Sequence, residues 1–203
     1  MARIYGTGCI KTKLTGKERK YSAPQCKLPP SYSYVNMMPP ILDQGQTYKC
    51  VAYATTAYMD WRKNKKEGDN NGGQFNIDKL YSIRADKNAD GMTIKEALNY
   101  IYTTGLNNFK IPGYAIVPSE YYLKHALVVN GPCLAALPAY EENMNRNFWD
   151  GSTFCGGHCI LIVGYTPEGY IIRNSWGRLY GKNGYYMVPN DKFSKFYEIW
   201  SIL

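Results

Sequence analysis

From residue 50 to residue 66 the apolar positions Val51, Ala54, Tyr58 and Trp61 recur at intervals of three, four and three. That spacing lines one face of an α-helix. Arg62, Lys63, Lys65 and Lys66 cluster where cations suit the negative end of a helix dipole, and Gly68 is the predicted terminator. A polar loop follows over 69–73. A short helix is predicted over 78–84. A second long one is predicted over 94–102, with Thr93 as cap and Glu96 at its third position, the pattern of a capping box. Beyond Pro118 a helix over 119–129 is closed by Asn130-Gly131-Pro132. The period then changes. Apolar runs over 133–137, 159–165, 170–173, 184–188 and 197–203 read as strands. Thr166-Pro167-Glu168-Gly169 reads as the turn of an antiparallel hairpin. A helical half followed by a β-rich half is an α+β arrangement with a cleft between two lobes.

Residues 1–40 break the pattern. Pro24, Pro29, Pro30, Pro39 and Pro40 exclude long helices and suggest an extended strap across a body. The expected division is therefore an arm over 1–40, a mainly helical lobe over 41–115 and a mainly β lobe over 116–203. The 203 residues, 30 of them aromatic, suffice for a filled core. Twenty tyrosines predict a partly hydrogen-bonded interior. The net charge of +8 is concentrated in the arm, which carries seven Lys or Arg against one acid. The arm is expected to be a solvated extension or a contact for an acidic partner. No apolar run has membrane-spanning length, and the first residues lack the apolar core of a secretory signal. Reduced thiols are then the expectation for the six cysteines, in a reducing cytoplasm or a virion-associated protein, with a Cys9–Cys26 bridge left open.

Candidate chemistry begins at Cys50. The stretch Asp43-Gln44-Gly45-Gln46-Thr47-Tyr48-Lys49-Cys50 reads as a turn entering a helix. A sulfur at the positive end of a helix dipole favours thiolate. Gln44 can supply an amide donor beside it, so nucleophile and oxyanion donor occur together. Of the two histidines, His125 reads as a packed helix residue. His158 follows Gly156-Gly157, where absent side chains let a ligand lie against the backbone. The hairpin brings Asn174 toward His158, where an amide oxygen would orient the ring, with Trp176 as a cover. Cys155, His158 and Cys159 invite a metal reading, but no second ligand pair has zinc-like spacing, so neither metal nor cofactor is expected. Cys133 and Cys159 are expected to be packed thiols.

The segments DQGQTYKCVAYA, GHCILIVGY and IIRNSWGRLYGKNGYYMV resemble, in order and spacing, the three signature segments of papain-like cysteine peptidases. DGMTIKEALNYI and YYLKHALVVNGPCLAALPAY are similar to the connecting regions of that family, so the resemblance covers about residues 28–203 and looks nearest to prokaryotic and phage-type members. It implies a two-lobed fold with an α-helical left lobe and an antiparallel, β-barrel-like right lobe. It also implies roles: Cys50 as nucleophile, His158 as base paired with it as thiolate and imidazolium, Asn174 as orienting amide, and Gln44 as oxyanion donor. Trp176 would cover the histidine. Gly91, Met92 and Gly157 would border substrate, and Tyr48, where the family has glycine, would narrow the wall beside it. Thr47 removes a loop disulfide, and Lys49 sets a positive charge near the thiol. The arm is too short for the family's long inhibitory propeptide. The expected activity is a monomeric cysteine endopeptidase acting on proteins or peptides, without membrane attachment. The competing readings are a binding or virion-associated protein on the same shell, and a cell-wall peptide hydrolase or other thiol acyltransferase.

Overall fold

A computed structural model describes residues 5–142 and 151–203. Strand β1 is Cys9–Ile10 and β2 is Tyr32–Ser33. Helix α1 follows at Cys50–Glu67, then α2 at Ile77–Ser82, β3 at Met92–Thr93 and α3 at Ile94–Thr103. The second half contains β4 (Tyr114–Ile116), α4 (Glu120–Val129), β5 (Cys133–Tyr140), β6 (Phe154–Tyr165), β7 (Gly169–Arg173), β8 (Tyr185–Pro189) and β9 (Glu198–Ile202). No helix among the described residues is long and apolar enough to cross a membrane.

The large sheet runs β4-β9-β5-β6-β7-β8, with β2 added on β6, and all its pairings are antiparallel. The expected α+β fold with an antiparallel β lobe is present, and its sheet is open: β4 and β8 lie at opposite ends and do not pair among the described residues. The two central strands divide the interior by their period of two. Leu134 and Ala136 of β5, with Cys159, Leu161 and Val163 of β6, join the core around α1 and α3. Their neighbours Cys133, Ala135, Leu137, Ile160 and Ile162 join a second core against α4 and the tyrosines Tyr170, Tyr180 and Tyr186.

Helix α1 departs from the one-faced stripe. Besides its apolar residues it buries Thr55, Thr56, Asp60 and Asn64. Burying polar groups requires partners. Asp60 accepts from the N–H groups of Gly73 (2.8 Å) and Gln74 (3.1 Å), and Asn64 donates to the Asn71 carbonyl (2.8 Å). The polar loop thus completes the helix, which ends at Gly68 in the left-handed conformation. At α3 the capping box is present in both directions, satisfying two otherwise orphaned N–H groups.

Residues 5–40 are a strap, and much of it is fastened to the body instead of being solvated. Tyr21 N–H donates to the Ile116 carbonyl (2.8 Å), and its hydroxyl meets His125 Nδ1 (2.9 Å). Tyr165 Oη donates to Pro29 O (2.8 Å), and the buried Arg173 guanidinium donates to Pro39 O (2.7 Å) and Pro40 O (2.8 Å). Lys95 pairs with Glu18 at 2.6 Å.

Candidate active site

Cys50 is the first residue of α1. Its N-cap, Lys49, makes no side-chain hydrogen bond to the helix. The positive end of the helix is therefore left to the thiol. Gln44 is held beside it by two links to the loop after β7. Its N–H donates to Ser175 O (2.8 Å), and its Oε1 accepts from Ser175 Oγ (2.6 Å). With the oxygen committed, Nε2 is turned inward, where it donates to Gly6 O (3.1 Å) and Thr47 O (2.8 Å). Ser175 is a positioning residue that sequence reasoning left without a role, although it stands inside the quoted segment Asn174-Ser175-Trp176-Gly177.

His158 enters from β6 on the opposite wall. Its Nε2 lies 2.7 Å from Asn174 Oδ1. The same Oδ1 accepts from Ser175 N–H (2.8 Å), which fixes it as the oxygen and makes Nε2 the protonated nitrogen. The Nδ1 lone pair is then the basic site; it is buried with no hydrogen-bond partner. Trp176 stacks on the imidazole at 4.3 Å between centroids. The N–H of Cys159, next in the chain after His158, donates to Cys50 Sγ at 3.4 Å. Cys50, His158, Asn174 and Gln44, the residues expected to form the site, are thus joined through Cys159 N–H and Ser175, although thiol and imidazole do not bond to each other.

The strap runs through this place. Tyr5 stacks on Trp176 at 4.9 Å. Gly6 O takes the Gln44 amide and the Trp176 indole N–H (2.9 Å). Gly8 N–H donates to Gly157 O (3.1 Å), and Gly8 O accepts from Met92 N–H (3.1 Å). Strand β1 then lies parallel to β3, Cys9 beside Met92, and Thr12 N–H reaches Glu198 Oε1 (2.9 Å). A β-carbon on Gly8, whose φ is +103°, would sit 2.4 Å from Tyr48 O. Glycine is what lets the strap lie this close. The cleft-edge residues Gly91, Met92 and Gly157 therefore border a peptide backbone, but it is the chain's own. Tyr48 touches the strap through its main chain, while its side chain is exposed. The short pattern Gly6-Thr7-Gly8-Cys9, small residues able to enter a groove, was the available signal for the strap's path.

The cover changes the ionisation. Cys50 is 0% exposed and His158 1%. Burial pushes the Cys50 thiol well up, against the lowering effect of nearby N–H groups. Burial also depresses His158 to about 4, opposed by its bond to Asn174. In this closed form burial pushes each group toward its neutral form, the opposite direction to the thiolate–imidazolium pair expected from the helix dipole. Lys49 does not supply the expected charge at the thiol, because its ammonium is bound to Asp78 at 2.7 Å. All six cysteines are free, with Cys26 exposed near Tyr121 and Cys9 buried in the cleft.

Residues 106–199 match the model of the papain family cysteine proteases, a span that includes His158 and Asn174 but not Cys50. Cysteine proteinase 3 of Entamoeba histolytica is 27% identical over 80% of this chain and 63% of its own length. Cathepsin J of Rattus norvegicus is 24% identical over 75% of this chain and 57% of its own. The chain thus spans less than two thirds of these relatives. Among solved structures, xylellain, a cysteine protease from Xylella fastidiosa, superposes with a TM-score of 0.84 at 21% identity, covering 100% of this chain and 97% of its own. A procathepsin B from Trypanosoma congolense gives 0.79 at 16% identity over 97% and 86%.

Proposed function

We propose, on the premise that this chain belongs with the papain-like cysteine peptidases, that it hydrolyses peptide bonds through a thioester on Cys50. The observation that carries the reading is the His158–Asn174 bond of 2.7 Å beneath Trp176, with the adjoining Cys159 N–H on the Cys50 sulfur. Once the strap leaves, water reaches both groups, and the burial that pushes them toward neutrality is relieved. His158 Nδ1 takes the thiol proton, and the sulfur attacks the peptide carbonyl. Gln44 Nε2, then free of Gly6 O, donates to the oxyanion. The imidazolium protonates the leaving amine, and the neutral ring afterwards activates water against the thioester. Met92 N–H and Gly157 O, which now hold Gly8, are the groups that would hold substrate backbone. The form described is accordingly a latent one.

The complete burial of Cys50 favours a second reading, a closed shell that binds through its surface and performs no catalysis. Both are tested by treating the reduced chain with an epoxide or vinyl-sulfone thiol inhibitor and mapping the adduct by mass. One adduct on Cys50, together with peptidase activity lost in Cys50→Ala and His158→Ala, is expected. An intact chain that neither labels nor cleaves denatured protein, or a Cys50→Ala chain that still cleaves, overturns the peptidase reading.

A further inference from the structure

Three buried thiols meet in the cleft. Cys50 begins α1, Cys159 follows His158 on β6, and Cys9 arrives with the strap. All three belong to one core. In a strand, residues two apart face the same side, so Cys159 and the site of the absent Gly157 side chain share one face of β6. A β-carbon on Gly157 would lie 2.2 Å from Cys9 O and 3.8 Å from Cys9 Cβ. Cys9 therefore fills the space Gly157 leaves open, and the next side chain on that face is Cys159. The neighbouring Cys159 thiol and burial both push the Cys9 thiol up. Proteolysis by the proposed mechanism does not call on either sulfur.

We propose that Cys9 and Cys159 form a disulfide latch that stitches the strap into the cleft in the presence of a low-molecular-weight disulfide such as oxidised glutathione. The latch rests on the reading of Cys50 as nucleophile and of the strap as its removable cover. In the closed strap the Cys159 thiol beside it and burial push the Cys9 thiol up, so reaction begins when the strap lifts. Cys9 then loses its proton to solvent, and its thiolate attacks one sulfur of the small disulfide. The other sulfur leaves as a thiolate and is protonated. Cys159, uncovered by the lifted strap, loses its proton to solvent; its thiolate attacks the Cys9 sulfur of the mixed disulfide and expels the second small thiolate, which takes up a proton. Two protein thiols are oxidised by two electrons, and one small disulfide is reduced to two thiols. An excess of small thiol reverses both steps and frees the strap.

The test uses the whole chain, reduced and then incubated with oxidised glutathione, with fragmentation of the unreduced digest assigning the linked sulfurs. A Cys9–Cys159 link is expected, also in Cys50→Ser. Labelling of Cys50 by the thiol inhibitor should slow on the order of a hundred-fold on oxidation and recover with dithiothreitol. In Cys9→Ser, oxidation should leave the labelling rate where it was. Absence of the link, a link from Cys9 to Cys50 or Cys155 instead, or equal silencing of Cys9→Ser by the oxidant overturns the latch. A linked and silenced chain that, when reduced, cleaves no peptide would sink the peptidase reading and leave the latch standing. An active reduced chain without the link does the reverse.

Discussion

The front and rear of the strap are held by different chemistry. Residues 5–12 touch the cleft chiefly through backbone groups, Gly6 O, Gly8 N–H, Gly8 O and Thr12 N–H. Residues 19–40 are gripped by side chains of the body, among them Arg173, His125, Tyr121 and Tyr165. Backbone pairing along a groove resembles the way an extended peptide is bound, with modest net energy per bond. A buried guanidinium on two carbonyls is a different matter, because removing it leaves those acceptors dry and unpaired. The rear is thus tied into the fold by buried side-chain bonds, and the front lies in the groove as the proposed reversible occupant. On the proposed reading, that difference lets one chain carry both the peptidase site and its cover.

Breaking the rear should cost the most. Arg173 is buried, and it lies near Asp60, whose own carboxyl burial pushes upward. Arg173→Ala is expected to lower stability by about 3 kcal/mol or more, read as a fall in the urea midpoint of the whole chain. A loss confined to strap mobility, with the midpoint unchanged, would show that the rear is no more structural than the front.

Breaking the front should release activity and leave the fold. Gly8→Val places a side chain against Tyr48 O and forfeits the two bonds to Gly157 and Met92. At about 1 kcal/mol each, their loss corresponds to roughly thirty-fold faster labelling of Cys50. The urea midpoint should move little. Slower labelling, or a fall comparable with that of Arg173→Ala, would erase the distinction between the two halves.

The same contrast explains what was readable in the chain. Helices α1 and α3 carry their period and caps locally, so both were visible to within a residue or so. Gln44, Cys50, His158 and Asn174 each stand in a recognisable segment, and the hairpin that joins two of them has a clear turn. Strands β1, β2 and β4 have two or three residues each and exist because a partner edge is present, which no local pattern records. The open sheet was hidden for a related reason, since closure depends on whether β4 and β8 meet. The buried Thr56, Asp60 and Asn64 escaped the stripe on α1 because their partners lie in a loop or along the helix itself. The direction in which burial pushes Cys50 and His158 was not legible, because it depends on what covers them, and the cover is a stretch of small residues with no periodicity.

The smallest effect expected is one of pH, and it is cleanest without the thiol. In Cys50→Ala the groups left under the front of the strap are His158, the Cys9 and Cys159 thiols and Glu198, which takes Thr12 N–H; His158 is the imidazole among them, and the effect is followed at Gly8 and Met92, away from Glu198. Its covered value of about 4 lies below the ordinary 6.5. The covered form therefore binds fewer protons than the uncovered form between those values. Its advantage is complete above pH 6.5 and is lost as pH falls toward 4. If uncovering restores the ordinary value, moving from pH 7.5 to 5.5 favours the open strap by about ten-fold. Hydrogen exchange at the Gly8 and Met92 amides, corrected for its intrinsic pH dependence, reads this directly, because both N–H groups are bonded only while the front is seated. Protection should fall about ten-fold over that interval, while amides within α1 stay protected. Equal loss in α1 would mean that acid loosens the fold as a whole, and no loss at Gly8 would mean that His158 remains neutral after the strap has gone.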